Sequence, residues 1–168
     1  MSLAVRKVRS EDAAAIVDIL NPIISDGNLS VLDTPLSVED EQEYIERFPA
    51  LGVFLVAEDR EGTIVGFQSV EPFATYTHAF DHVGTIGTFV GLPYRRKGVG
   101  TVLAKATFVS ARAVGFEKLF TYILATNDAS LAFHQRLGFT VVGTARRQAR
   151  LGGRYVDEVL IERFLDDM

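Results

Sequence analysis

Apolar positions along the chain switch between two spacings, and the switches outline a run of strands and helices. Residues 3–9 alternate Leu3 and Val5 with Arg6, Lys7 and Arg9, which predicts a short strand with one wet face. Ser10 stands where a helix cap belongs, with Glu11 and Asp12 in a first turn whose dipole favours negative charge. Ile16, Ile19 and Leu20 give that helix an apolar face, and Pro22 is expected to end it. A loop is expected from Ser25 to Pro35. An acidic helix near 37–48 follows, carrying Val38, Tyr44, Ile45 and Phe48. Val53–Ala57 and Thr63–Glu71 are β-rich runs around Glu58-Asp59-Arg60-Glu61-Gly62, at the spacing of a hairpin. An aromatic- and histidine-rich loop, Pro72 to His82, leads to a β-branched strand at Val83–Val90 that contains Gly84 and Gly87.

The clearest helical period runs from Gly98 to Val114. Val99, Val102, Leu103, Ala106, Val109, Ala113 and Val114 recur every three or four residues, and Gly115 sits where a C-terminal cap belongs. Lys118–Ala125 reads as a buried strand. Asn127 caps a helix through Leu137, which Gly138 and Phe139 stop. Two last strands, about 139–148 and 155–164, flank the turn Leu151-Gly152-Gly153-Arg154. No repeat or linker interrupts the order. It predicts a mixed α/β domain over residues 1–168, with a mostly antiparallel mixed sheet, flanking helices and one parallel βαβ crossover.

Composition narrows the function more than the fold. At 168 residues the chain can bury roughly 70% of its unfolded surface without a disulfide or metal staple. It has no cysteine, which excludes disulfides, thiolate metal ligands and cysteine nucleophiles and suits a reducing cytoplasm. Seventeen basic against 22 acidic residues leave a net charge of −5, so a broad electrostatic grip on nucleic acid is not expected. Charge-free stretches such as 83–94 are too short to span a bilayer, and no membrane partner is expected.

The crossover carries the chemistry. Strand 83–90 runs into Arg95-Arg96-Lys97-Gly98-Val99-Gly100, which opens the long helix. Glycines let a backbone approach a ligand closely, and a helix start offers unpaired N–H groups to an anion. Three adjacent cations reinforce that site, so a phosphate or pyrophosphate is the expected ligand. Two common phosphate motifs do not fit. Lys97 precedes Gly98 instead of following a glycine, and the third glycine of a dinucleotide fingerprint would fall at Leu103. A basic turn before an ordinary helix remains open on these residues alone.

Three blocks in order carry a resemblance. Arg95 to Gly100 matches the pattern Arg or Gln, two residues, Gly, one residue, Gly or Ala. Asn127, Ser130 and His134 lie on one helix that ends in Leu137-Gly138-Phe139. Gly153-Arg154-Tyr155-Val156-Asp157 leads into the last strand. Together they resemble the GNAT superfamily of N-acetyltransferases, and within it the phosphinothricin-acetyltransferase-like branch. The resemblance spans most of the chain and is strongest from about 80 to 165.

That resemblance implies acetyl-CoA as cosubstrate and direct acetyl transfer to the primary amine of a small molecule, an amino acid or close analogue. It places the pyrophosphate on Arg95, Arg96, Gly98, Val99, Gly100 and Thr101, and pairs the pantetheine arm with the backbone of Phe89 and Val90. Asn127 would contact that arm, with Phe133 and His134 near the sulfur. The backbone at Val90 would stabilise the oxyanion, and His134 would act as general acid or steady the leaving thiolate. The branch usually carries a glutamate where this chain has Thr85, which leaves base function to Asp81, His82 or a water chain. A homodimer is implied, as is no metal. The alternative acceptor is a peptide or protein N-terminus, and the alternative role is that of a non-catalytic acyl-CoA sensor.

Other clusters invite simpler readings. His78 and His82 flank Asp81 without a metal-site pattern, and with Phe73, Tyr76 and Phe80 they read as a pocket wall. Arg146, Arg147, Arg150 and Arg154 form a late basic cluster, a solvated face from which an arginine could meet a substrate carboxylate. The resemblance puts Asp26, Asn28, Asp33 and Thr34 in a loop bordering the acceptor pocket.

Overall fold

The computed structural model describes residues 2–166; Met1, Asp167 and Met168, the ends of the expected 1–168 domain, lie outside the described residues. Seven strands form one sheet: β1 (Ala4–Lys7), β2 (Val53–Glu58), β3 (Ile64–Pro72), β4 (Val83–Val90), β5 (Lys118–Leu124), β6 (Thr140–Leu151) and β7 (Arg154–Phe164). They lie in the order β1-β2-β3-β4-β5-β7-β6. Every neighbouring pair is antiparallel except β4 and β5, which are parallel. Four α-helices join them: α1 (Ala13–Asp26), α2 (Val38–Glu46), α3 (Val99–Ala113) and α4 (Asp128–Arg136). The parallel pair is the expected crossover, with α3 as its connection.

Side-chain alternation gives the sheet two covered faces. Leu103, Phe108 and Ala111 of α3 pack on Val65, Val70, Ile86, Leu119 and Ile161, with Phe139 and the flank of α4 joining them. On the other face, Ile16, Ile19, Leu20 and Ile23 of α1 pack on Phe54, Val56 and Phe67, with Ile45 and Phe48 from the α2 region at their edge. Central strands such as β2 are buried on both faces, which is why Val53–Ala57 reads as a continuous apolar run. Each fully buried large aliphatic side chain in these layers stabilises the fold by about 1.5–3 kcal/mol. No helix among the described residues is long and apolar enough to cross a membrane.

Two helix boundaries differ from expectation. Pro22 does not end α1, which continues to Asp26. A proline removes one N–H, but Ile23 and Ile24 continue the buried stripe, and their burial holds the last turn. Gly27, at φ 75°, ends the helix, with its N–H donating to the Ile24 carbonyl at 3.1 Å. Nor does Ser10 cap α1. It opens a short 3-10 turn, Ser10–Asp12, and its hydroxyl donates to Glu46 at 2.8 Å. The local anchor is buried Asp12, which accepts from both Arg6 guanidinium nitrogens at 2.7 and 2.8 Å and from the Arg9 N–H at 2.7 Å.

Candidate active site

The two parallel strands at the centre of the sheet part company. They pair at Val83–Lys118, Gly84–Leu119 and Thr85–Phe120, and no further. Beyond that point β4 stays on β3 as far as Val90, opposite Gly66, while β5 stays on β7 as far as Leu124, opposite Glu158. Each strand keeps its outer neighbour and loses its inner one. Between Ile86–Val90 and Thr121–Leu124 there is therefore a slot edged by backbone groups that have no strand partner on that side. An extended ligand with amide groups can pair with such an edge as an added strand would.

At the open end of the slot stands the start of α3. Its N-cap residue Gly98 is left-handed, at φ 86°, and no side chain caps the helix, so first-turn N–H groups point outward unpaired. Arg96 is also left-handed, at φ 59°. Arg95 is half-buried and donates through Nε to the Val90 carbonyl at 3.3 Å, and Lys97 lies over the Tyr94 ring. Gly100 is needed for packing: a Cβ there would come within 2.8 Å of the Phe133 ring, so its absence lets α4 close on the first turn of α3. Exposed cations and open amides beside a glycine turn fit a polyanion, the pyrophosphate expected from the sequence.

A cavity of about 610 Å³ lies at the slot. The pleat sorts its lining. Thr85, Gly87 and Phe89 of β4 alternate onto the same face as Phe67, Ser69 and Glu71 of β3, which they pair with, and as Tyr122, Leu124 and Glu158 across the slot. That is the α1–α2 face, where Glu41 and Tyr44 of α2 and Leu29–Leu32 of the following loop complete the wall. Asn127, Ser130 and His134 of α4 line the cavity from its other end. The slot thus joins a side bounded by α3 and α4 to a side bounded by α1 and α2.

His134 is 5% exposed. Its Nδ1–H donates to the Ser130 carbonyl at 2.9 Å, which leaves the Nε2 lone pair free. Burial pushes its pKa below the usual histidine value, against a smaller opposing effect of that hydrogen bond. At neutral pH it is therefore a neutral imidazole, with the proton-donating form in the minority. Asn127 is held at both ends of its amide: Oδ1 accepts from the Ser130 N–H at 3.1 Å and Nδ2 donates to the Leu29 carbonyl at 3.3 Å. Its cap on α4 also ties that helix to the loop after α1.

Of the residues singled out from sequence, Thr85, Phe89, Asn127, Ser130 and His134 line the cavity. Val90, Arg95, Arg96, Gly98, Val99, Gly100, Thr101 and Phe133 gather at the end of β4 and the start of α3. The loop after α1 does border the cavity, but through Leu29, Ser30, Val31 and Leu32, not through Asp26, Asn28, Asp33 or Thr34. None of the four late arginines lines it; Arg147 and Arg150 stack on Tyr155. His78 is fully exposed and bonds Asp81 at 3.0 Å, and Phe73 and Phe80 pack on each other outside the cavity. No group of three or more His, Asp or Glu able to hold a metal ion occurs among the described residues.

Glu41, Tyr44, Glu71 and Glu158 also line the cavity and were not singled out as site residues from the sequence. Glu71 stands directly opposite Thr85 on the neighbouring strand and accepts from the Tyr44 hydroxyl. Tyr44 is itself wedged edge-on against Phe48, at 5.6 Å between centroids. Glu41 and Glu158 are each 4% exposed. Burial pushes the Glu41 carboxyl up to about 7 and raises that of Glu158. Glu158 did carry a sequence signal, a carboxylate inside the apolar run of a strand; Glu41 sat unmarked in a row of acids.

Comparison with known proteins agrees with this geometry. The profile of the Acetyltransferase (GNAT) family matches residues 18–139. The L-methionine sulfoximine/L-methionine sulfone acetyltransferase of Pseudomonas aeruginosa is 28% identical over 170 residues, covering 99% of this chain and 96% of the relative. The phosphinothricin N-acetyltransferase of Streptomyces viridochromogenes is 28% identical over 153 residues, covering 91% of this chain and 82% of the relative. Among solved structures, a phosphinothricin acetyltransferase from Sinorhizobium meliloti in complex with AcCoA has the same fold, with a TM-score of 0.89 at 22% identity over 98% of this chain and 89% of that one. The matched span takes in β4, the start of α3, β5 and α4. This chain belongs to the Acetyltransferase (GNAT) family and is an N-acetyltransferase that draws its acetyl group from acetyl-CoA.

Proposed function

We propose that donor and acceptor meet in the slot between β4 and β5, the cosubstrate coming from the α3 side and a small primary amine from the α1–α2 side. The observation that carries this reading is the parting of the parallel pair after Thr85–Phe120, beside the uncapped start of α3. Arg95, Arg96, Gly98, Val99, Gly100 and Thr101 hold the pyrophosphate. The free edge at Phe89 and Val90 pairs with the pantetheine amides, and Asn127 meets the same arm across the slot. An N–H near Val90 faces the carbonyl oxygen as it gains charge, an effect typically worth ~3 kcal/mol per donor. Phe133 packs on Gly100 and walls the channel.

The acceptor attacks as the neutral amine, so one proton must travel from its nitrogen to the departing sulfur. His134 fits that transfer: its free Nε2 takes the proton and the resulting imidazolium gives it to the thiolate. The relatives named for methionine sulfone and phosphinothricin support an acceptor of amino-acid size. We further propose a single domain over 1–168 that works in the cytoplasm as a homodimer. Val141 and Val142, exposed on the edge strand β6, support pairing at that edge.

The test is acetyl-CoA binding and turnover on the same samples. Acetyl-CoA should raise the Tm of the wild type, and an Arg95→Ala, Arg96→Ala double variant should shift less at equal concentration. His134→Phe should keep the acetyl-CoA shift yet lose about 10²–10⁴-fold in kcat, with its pH–rate limb flattened. An unchanged rate and profile would remove His134 from the mechanism. No shift with acetyl-CoA would overturn the donor site.

A further inference from the structure

We infer that the acceptor is a diamino compound, one that carries a second ammonium group besides the amine that receives the acetyl group. The inference rests on the proposed transfer reaction and concerns which amine the cavity selects. Its lining contains Asp40, Glu41, Glu71 and Glu158 but no lysine or arginine. Asp40 is already engaged by its own helix cap, accepting from the Ser37 hydroxyl at 2.6 Å and N–H at 3.1 Å. The other three face the cavity without an ion pair among the described residues.

Their placement makes two poles. Glu41 and Glu71 form one, bridged by Tyr44, which shares a helix with Glu41 and donates to Glu71. Glu158 forms the other, on β7 beyond the slot, next to Leu124. Glu71 stands level with Thr85, Phe120 and Glu162, whereas Glu158 lies further along β7 opposite Leu124. Three strand spacings across and about 13 Å along put the two on the order of 20 Å apart between backbones. Between them the wall carries Phe67, Phe89, Leu29 and Leu36, with the uncharged hydroxyls of Ser69 and Thr85 beside Glu71. A short methylene chain suits that floor, with the neutral reacting amine at the slot and a second ammonium at one pole, Glu158 at the slot's edge being the nearer to Leu124.

Glu158 shows most clearly that a partner belongs there. It is 4% exposed, lines the cavity, and its Oε1 has no hydrogen-bond partner. A buried carboxylate oxygen left unpaired is costly, and a ligand N–H⁺ is the group that relieves it. Burial raises the carboxyl pKa of both Glu41 and Glu158, the direction expected when a negative charge lacks a compensating cation. The reacting amine, neutral at the moment of attack and placed at the thioester, cannot also serve as that partner, so a second amine is required.

Matched pairs of amines test this, with CoA release as one readout and Tm as the other. In each pair one member lacks only the second amine: 1,4-diaminobutane against n-butylamine, and ornithine against norvaline. We expect kcat/KM to favour the diamino member by about tenfold or more, the scale of one charge-assisted hydrogen bond. Glu158→Gln and Glu71→Gln should each shrink that ratio, and 1,4-diaminobutane alone should raise the Tm of the wild type more than that of Glu158→Gln. Equal turnover within both pairs would overturn the inference and leave the transfer reaction standing. Silence with every amine would overturn the proposed transfer to small amines; the Tm comparison then decides the inference, since an equal or absent shift in wild type and Glu158→Gln rejects it. An acetyl-CoA shift retained by each variant shows that it is folded.

Discussion

Glu41 is where one residue's environment should be measurable in the whole protein's stability. Its carboxyl is pushed up to about 7 by burial, so the folded state favours the protonated form. A folded-state pKa above the unfolded value means that stability is fully present below the unfolded pKa and is lost as pH rises through the folded one. We expect the wild type to lose stability relative to Glu41→Gln between about pH 4.5 and pH 8, on the order of 2 kcal/mol across that window. Denaturant titrations of both proteins at several pH values check this; a constant difference would mean that the carboxylate is already compensated. Asp12 runs the other way. Its burial raises the carboxyl, but bonds from Arg6 and the Arg9 N–H outweigh burial and hold it below the usual range. Its contribution is present above the unfolded pKa and fades as pH falls through the lower folded value. Asp12→Asn should cost about 3 kcal/mol near pH 7 and remove part of the acid-side loss of stability.

At the scale of elements, the joint between α3 and α4 should govern the proposed donor site. Glycine to alanine inside a helix ordinarily stabilises by up to about 1 kcal/mol. At Gly100 the sign should reverse, because the new methyl meets the Phe133 ring at 2.8 Å. Gly100→Ala should lower both the Tm and the acetyl-CoA shift, and adding Phe133→Leu should restore most of each. A simple stabilisation by Gly100→Ala would show that the two helices are free to separate. Much of this level was legible in advance, since the period of Val99 to Val114 and the glycines around it placed α3 and its open start. The run through Pro22 was not legible, because what holds that turn is Ile23 and Ile24 packing on a sheet distant in sequence. The site divides the same way. Gly98, Gly100, Asn127 and His134 belong to a local pattern that a linear reading can hold. Glu71 faces Thr85 only through strand register, and Glu158 reaches the cavity only because β7 lies beside β5.

The whole molecule is a sheet opened along its middle, and the proposed donor and acceptor sides lie one on each face. On the proposed placement a chain with net charge −5 can still take a polyanion. Cations and open amides collect at one end of the slot, and the carboxylates collect on the opposite face. It also bears on acceptor chemistry. With no lysine or arginine in the cavity lining, a substrate carboxylate finds no cation there, so ornithine amide should show a lower KM than ornithine itself. A higher KM for the amide would point to a carboxylate partner supplied by a second copy of the chain. Light scattering then becomes relevant, because a homodimer paired along β6 should revert to monomer on charging that edge, as in Val142→Glu.

The central claim is that acetyl passes from acetyl-CoA to an amine within the slot, and the most direct measurement counts both products. Thiol formed is followed with a thiol-reactive dye, against which a protein without cysteine contributes no background, and N-acetylated amine is measured by mass in the same reaction. We expect one acetylated amine for each thiol released, saturation in both substrates, and loss of both products in His134→Phe. Thiol release that ignores the amine, or acetyl-CoA binding with no product from any amine, would contradict it.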